Sequence, residues 1–209
     1  AFLEIFAGTA NLSGALHERG FRIMPPMDSK YGPHCDLTSR RVQRLVEHWL
    51  KSGEVWWAHL GLPCTRWVPV GGTRDPLPAD RTLVAFTVRV ATLPDLGIFV
   101  TFENPPASRV WKWPALQREL QRLTWSKVLF DSCRFGAPFK KPGAIAGSLP
   151  RLGHLSLRCC CTCRHRVELQ GKTDPAPDAR LDVAYNLAGA YLPSWCRLLV
   201  SLAGPDAPR

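Results

Sequence analysis

No run of the sequence approaches the uninterrupted apolar length of a membrane-spanning helix. No charged-then-apolar leader stands before the first apolar run. A helical membrane span is therefore excluded, and a soluble protein is expected. The sequence also lacks any repeat at a fixed period, which argues against a solenoid or propeller. Acids are scarce: 17 Asp and Glu stand against 27 Lys and Arg, a formal net charge of +10. That deficit favours a polyanionic partner, nucleic acid first, over a merely basic surface. Evenly spaced cysteines are missing too, because four of the eight crowd into "CCCTC", residues 159–163. Such crowding does not suit a disulfide framework. With no secretory signal, free thiols in a reducing, intracellular compartment are expected, nuclear if the source is eukaryotic.

What is present is 209 residues with 45% hydrophobic content, enough for an ordinary globular core. The apolar run "AFLEIFAG" begins at Ala1 rather than after a Met, which reads as a segment of a longer polypeptide. Short apolar runs alternate with amphipathic stretches, the pattern of an α/β sheet with crossover helices. "AFLEIFAG" predicts a first strand, followed by a helix over about Asn11–Arg19. "FRIMPPMD" predicts a second strand, weakened by its prolines. The helix over residues 39–53 carries Val42, Leu45, Val46 and Trp49 on one face and stops at Gly53. "VWWAHLG" predicts a strand leading to Cys64, and a helix follows over about Ala79–Thr92. Further on come the strand "GIFVTFEN", a helix over about Pro114–Leu123, the strand "SKVLFDSC" and a last helix "YLPSWCRLLVSLAG".

In an open α/β sheet, ligands bind beyond the carboxyl ends of the strands. The residues there are Glu4 and Gly8 in "EIFAGTANL", Asp28, Asp36 in "HCDLT", Pro63 and Cys64 in "GLPC", and Glu103 and Asn104 in "FENP". Taken singly, each has an ordinary alternative. Cys64 reads as a buried structural thiol, Glu103 as an exposed strand-end carboxylate, and Asp28 and Asp36 as cap or turn acids. Taken in order, they resemble the DNA (cytosine-5)-methyltransferase family. "EIFAGTANL" is similar to its first motif, "GLPC" to its Gly-x-Pro-Cys loop, and "FENP" to its Glu-Asn motif, with Pro105 where Val is usual. "FGAPFKKPG", residues 135–143, is similar to its aromatic-Gly-x-Pro segment. "AGAYLPSWC" is a weaker echo of the final motif. The match spans about residues 2–145.

The resemblance implies a Rossmann-like, mostly parallel seven-stranded sheet with helices on both faces, S-adenosylmethionine as cofactor, and methyl transfer to C5 of cytosine in DNA, with RNA not excluded. It makes Cys64 the nucleophile that adds to C6. Pro63 would stiffen its loop, and a cation or helix terminus nearby would lower its pKa. Glu103 would protonate or hydrogen-bond N3, with Asn104 bracing the loop. Glu4, Phe6 and Gly8 would form the cofactor turn, Asp28 would meet the ribose hydroxyls, and Asp36 the adenine amino group. The target base would leave the duplex to react.

Three departures mark the chain. Ala10 stands where the family has a second Gly, and Phe139, Lys141 and Gly143 replace its Gln-x-Arg-x-Arg. Only about forty residues separate Pro150 from Tyr191, where a recognition region belongs. These departures favour a second reading, a catalytically inactive nucleic-acid-binding module of a larger protein such as one encoded by a mobile element. A third, amino methylation by "NPP" at 104–106, lacks the aromatic that usually follows. The organisation expected is a catalytic unit over 1–149, a Cys/His-rich insertion over 150–183, a closing helix over 184–203 and a linker over 204–209. In the insertion, Cys160, Cys163, His154 and His165 offer ligands for a structural zinc, with free thiols as the alternative. Lys140, Lys141, Arg158, Arg164 and Arg166 suit phosphate contacts. Most tryptophans read as core or loop anchors; Trp67, three residues past Cys64, is the one expected to stack on a base.

Overall fold

The computed structural model describes residues 1–69, 75–93, 97–160 and 190–204. In order, the main elements are β1 (Phe2–Ile5), α1 (Asn11–His17), α2 (Arg40–Lys51), β2 (Trp57–Gly61), α3 (Pro78–Ala91), β3 (Phe99–Asn104), α4 (Pro114–Arg122), β4 (Val128–Asp131), β5 (Pro142–Gly147) and α5 (Pro193–Leu202). Among the described residues the sheet has five strands in the order β1-β2-β3-β5-β4. β1, β2 and β3 run parallel, and β5 lies antiparallel between β3 and β4. The fold is thus α/β with a mixed sheet, to which the described residues contribute five of the seven strands expected. No helix among the described residues is long and apolar enough to cross a membrane.

Helix starts follow local chemistry. α3, α4 and α5 each carry Pro at the first helical position, where its fixed φ suits the helix and no N–H is wasted. Asp80 in the first turn of α3 accepts the backbone N–H of Leu77 at 2.7 Å, tying down one orphan donor.

Three expectations are corrected. The second strand reduces to two isolated bridges, Phe2 with Ile23 and Ile5 with Met27. Pro25 and Pro26 between them have no N–H to give a ladder. Helix α2 buries Val42, Gln43, Val46 and Leu50, while Leu45 is 43% exposed. The polar Gln43 goes inward because its amide is satisfied there: Nε2 donates to the Leu37 carbonyl, and Oε1 accepts from Arg89. Strand β5 was not expected from "PGAIAG", since glycine and alanine carry little strand signal. Its small residues fit its central place: a Cβ on Gly143 would strike the Phe130 ring, and one on Gly147 the Val100 carbonyl.

Strand alternation divides the core into two unlike layers. One face presents Leu3, Ile5, Ala58, Leu60, Val100, Phe102, Ala144 and Ala146 to α2, α3 and α4, with the buried Asn104 at its end. The other presents Phe2, Trp57 and Ile145 to α1 and α5. On this second face, period two also places Glu4, His59 and Thr101, aligned as direct cross-strand neighbours. All three are fully buried.

Candidate functional site

A cleft of about 260 Å³ opens at the carboxyl ends of β1, β2 and β3. Its walls include Phe6 and Gly8 after β1, Pro63 and Cys64 after β2, Glu103 at the end of β3, Lys141 before β5, and Tyr191 and Trp195 from the last segment. Six of the residues singled out in the sequence, Phe6, Gly8, Pro63, Cys64, Glu103 and Lys141, therefore share one cavity.

The first wall is a turn of alternating left-handed residues, Phe6 (φ 59°), Gly8 (φ 52°) and Ala10 (φ 54°). Only Gly adopts that region without steric cost. The turn is held by hydrogen bonds: Ala7 N donates to Met27 O at 3.1 Å, Gly8 N to Asp28 Oδ2 at 3.0 Å, and the Tyr31 hydroxyl to Gly8 O at 2.9 Å. A Cβ on Gly8 would meet nothing within 4 Å, so the backbone there is open to a ligand.

Glu4 and the two aspartates do not line the cleft. Glu4 Oε2 accepts from Ser13 N at 2.8 Å and Ser13 Oγ at 2.7 Å, inside the first turns of α1. Its Oε1 has no hydrogen-bond partner among the described residues. Burial raises the Glu4 carboxyl from 4.5 to about 7, against the pull of the Ser13 bonds. Asp28 braces the turn and also accepts from Lys30 N at 3.1 Å. Asp36 accepts the Thr38 N–H and hydroxyl at 2.9 and 2.8 Å, a local cap before α2.

On the second wall, Cys64 is half-buried in a tight turn whose carbonyl accepts from Trp67 N and Val68 N. The expected lowering of its pKa is not found. Burial pushes the thiol up, Lys141 opposes this, and the Glu103 carboxylate adds to it. Glu103 is also pushed up by burial, offset in part by Lys141 and by the Tyr191 hydroxyl. Asn104 is buried away from the cavity, where its Nδ2 donates to Leu62 O at 2.7 Å. That bond ties the end of β3 to the residue before Pro63, so Asn104 fixes the spacing between the carboxyl and thiol loops.

Trp67 is 3% exposed and packs edge-on against Trp113, with centroids 5.7 Å apart. It is a core anchor, too deeply buried to stack on a base. Lys140 is exposed. Arg158 is half exposed and pairs with the buried Asp131 at 2.9 Å, which also accepts from Cys159 N. Arg164, Arg166, Cys163 and His165 lie outside the described residues. His154 and Cys160 are exposed, and among the described residues no group of three or more His, Cys, Asp or Glu side chains could hold a metal. The zinc expectation gains no support.

Sequence reasoning missed a polar chain leading into the cleft from the core. Trp57 Nε1 donates to Thr101 Oγ1 at 2.9 Å, and His59 Nδ1 lies 2.8 Å from the same oxygen. His59 Nε2 is 2.8 Å from the Tyr191 hydroxyl, which lies 3.4 Å from Glu103 Oε2. Burial lowers the His59 pKa to about 3, so the ring is neutral. A signal was present: histidine and threonine at inward-facing, period-two positions of otherwise apolar strands.

No family profile and no curated protein matches the chain. Among solved structures, the chain is similar to the Dnmt2 methyltransferase of S. pombe, at 12% identity and a TM-score of 0.46, covering 70% of this chain and 49% of that one. It is similar to a protein of an E. coli prophage assigned to the DNA modification methyltransferases, at 15% identity and a TM-score of 0.48, covering 70% and 45%. It is also similar to the methyltransferase EhMeth of Entamoeba histolytica, at 13% identity and a TM-score of 0.44, covering 70% and 51%. The chain spans about half the length of each of these structures.

Proposed function

We propose that the protein is an S-adenosylmethionine-dependent methyltransferase acting on C5 of cytosine in nucleic acid, DNA first, with Cys64 as nucleophile and Glu103 as acid. The observation that carries this reading is that Cys64 and Glu103 line one cleft and that Asn104 ties their loops together. The net positive charge supports a polyanionic substrate, and Lys141 brings a cation to the cleft itself.

The residues present fit the cofactor. Gly8 faces the same cleft with open space above its Cα, and Phe6 offers an apolar ring beside it. Phe6, Ala7, Gly8 and Thr9 would hold it, with Asp28 keeping the turn in shape. When bound, the cofactor supplies an electrophilic methyl group. The chain's own residues prepare the acceptor. The Cys64 thiol loses its proton to solvent, its sulfur bonds to C6 of the ring, and the displaced electron pair moves toward N3, where Glu103 delivers a proton. Carbon 5 thereby becomes nucleophilic. Once C5 carries the methyl group, its proton leaves to solvent, the N3 proton returns to Glu103, and cleavage of the C6–sulfur bond restores the aromatic base and returns sulfur to thiolate. In this reading residues 1–149 form the catalytic unit and α5 closes it, while 150–183 stand in the place of a recognition region.

One observation favours a second reading. The Cys64 thiol is pushed up, toward its unreactive form, as a binding module without catalysis would tolerate. An oligonucleotide containing 5-fluorocytosine separates the two, because fluorine at C5 blocks the final elimination. With S-adenosylmethionine present, a denaturation-resistant adduct that Cys64→Ala abolishes supports methyl transfer. Binding of the oligonucleotide with no adduct supports the module instead.

A further inference from the structure

The buried polar row behind the cleft has an internal direction. The indole N–H of Trp57 can only donate, so Thr101 Oγ1 must accept from it. If the Thr101 hydroxyl then donates to His59 Nδ1, His59 carries its proton on Nε2 and donates to the Tyr191 oxygen. The Tyr191 hydroxyl is thereby free to donate to Glu103 Oε2, and every contact in the row becomes a proper donor–acceptor pair. In the reverse order Glu103 would donate to Tyr191, Tyr191 to His59 Nε2, and His59 Nδ1 to Thr101. Thr101 Oγ1 would then accept twice, and its own hydrogen would have no acceptor in the row, at a fully buried position where a lost bond is costly. The first order wins on that count.

The packing is built for this arrangement. The Tyr191 ring stacks on Trp195, with centroids 4.5 Å apart and planes at 24°. Gly61 admits the hydroxyl, since a Cβ there would come within 2.5 Å of it.

We infer that the row Trp57–Thr101–His59–Tyr191 holds Glu103 as a hydrogen-bond acceptor at Oε2, so that the acid proton offered to a substrate sits on Oε1. The inference rests on the proposed role of Glu103, and makes His59 and Tyr191 positioning residues rather than catalytic ones. The groups facing this row are Glu4 across the strand from His59, Trp195 and Cys196 from α5, and Lys141 and Cys64 near Glu103 at the cleft.

The test needs no activity. In protein labelled with ¹⁵N-histidine, with His59→Gln used to assign the resonance, long-range ¹H–¹⁵N correlation should show His59 protonated at Nε2, bare at Nδ1, and not titrating between pH 5 and 8. A ¹³C-carboxyl titration should then show the Glu103 pKa raised in Tyr191→Phe, by up to about one unit because the lost contact is long. A proton on His59 Nδ1, or a Glu103 titration identical in Tyr191→Phe, overturns the inference. Absence of a fluorocytosine adduct in the wild-type protein would instead overturn the methyltransferase reading, leaving the tautomer result to judge the row by itself.

Discussion

Replacing Glu4 by Gln distinguishes a buried support for α1 from an ionised ligand for a cofactor. Glu4 is fully buried, its Oε2 is taken by Ser13, and its carboxyl is raised from 4.5 to about 7. The fold therefore binds this proton more tightly than the unfolded chain does. Below pH 4.5 both states are protonated and the full contribution is present; as the pH rises to about 7, stability is lost, and above that the loss levels off. With those two values, linkage gives a cost of about 3 kcal/mol at pH 8 and about 1 kcal/mol at pH 5. Gln cannot ionise, and its carbonyl can accept both Ser13 bonds, so it imitates the protonated acid. Urea unfolding at the two pH values should thus show the advantage of Glu4→Gln over wild type growing by roughly 2–3 kcal/mol from pH 5 to pH 8. In thermal melts, at roughly 2–4 °C per kcal/mol for a chain of this size, the gap widens by about 5–10 °C. A gap that does not change with pH, or a variant less stable than wild type at pH 8, would refute the reasoning and show that Glu4 is ionised in the fold with a cationic partner.

Ala10→Gly relieves a left-handed alanine (φ 54°, ψ 31°); it should raise stability by about 0.5–1 kcal/mol after the added freedom of the unfolded chain is counted, read as a higher urea midpoint. Asn104→Ala leaves the Leu62 carbonyl without its partner and should cost about 1–3 kcal/mol. It should also speed alkylation of Cys64, followed by peptide mass mapping; an unchanged alkylation rate would show that this bond does not hold the thiol loop. Lys141→Met should move both limbs of the pH profile of adduct formation to higher pH, because Lys141 lowers the pKa of Cys64 and of Glu103 alike.

The three parallel strands and their helices were legible because each announces itself locally. Apolar runs stop at Gly61 and Asn104, and Pro78, Pro114 and Pro193 mark helix starts. What was not legible depends on neighbours distant in the chain. β5 is a strand because it fills the slot between β3 and β4, and its glycines matter only once Phe130 and Val100 lie against them. α2 turns Gln43 inward because Arg89, 46 residues away, is there to meet it. At the site, residue types next to strand ends pointed to Cys64, Glu103 and Gly8, since topology alone brings those ends together. Trp67 was misread because three residues past a cleft residue is enough chain to turn back into the core. Tyr191 reaches His59 across 132 positions of sequence, and no local pattern encodes such a contact.

Burial is the first cause of every upward shift at this cleft, and it sets how a covalent attack must be organised. Cys64 and Glu103 are both pushed toward their neutral forms, and each carries Lys141 as the opposing charge. Attack on C6 requires the sulfur without its proton and the carboxyl with one. With ordinary values a carboxyl ionises well before a thiol, so the first proton to leave such a pair from low pH is the carboxyl's. The competent arrangement is thus a minority form of the singly protonated pair, and each unit separating the two pKa values reduces it tenfold. Two features of the chain work against that penalty. Burial raises the carboxyl toward the ordinary range of a thiol. A protonated Glu103 also removes the like charge that raises Cys64, so the acid and the nucleophile favour each other's working forms. Adduct formation should then follow a bell-shaped curve, its limbs set by the macroscopic pKa values of the pair and displaced to higher pH than an exposed thiol and carboxyl would give. Removing Lys141 slides the bell upward without abolishing it. A rate that rises with pH without an alkaline limb would show that the carboxyl proton is not used, and Glu103 would lose its role.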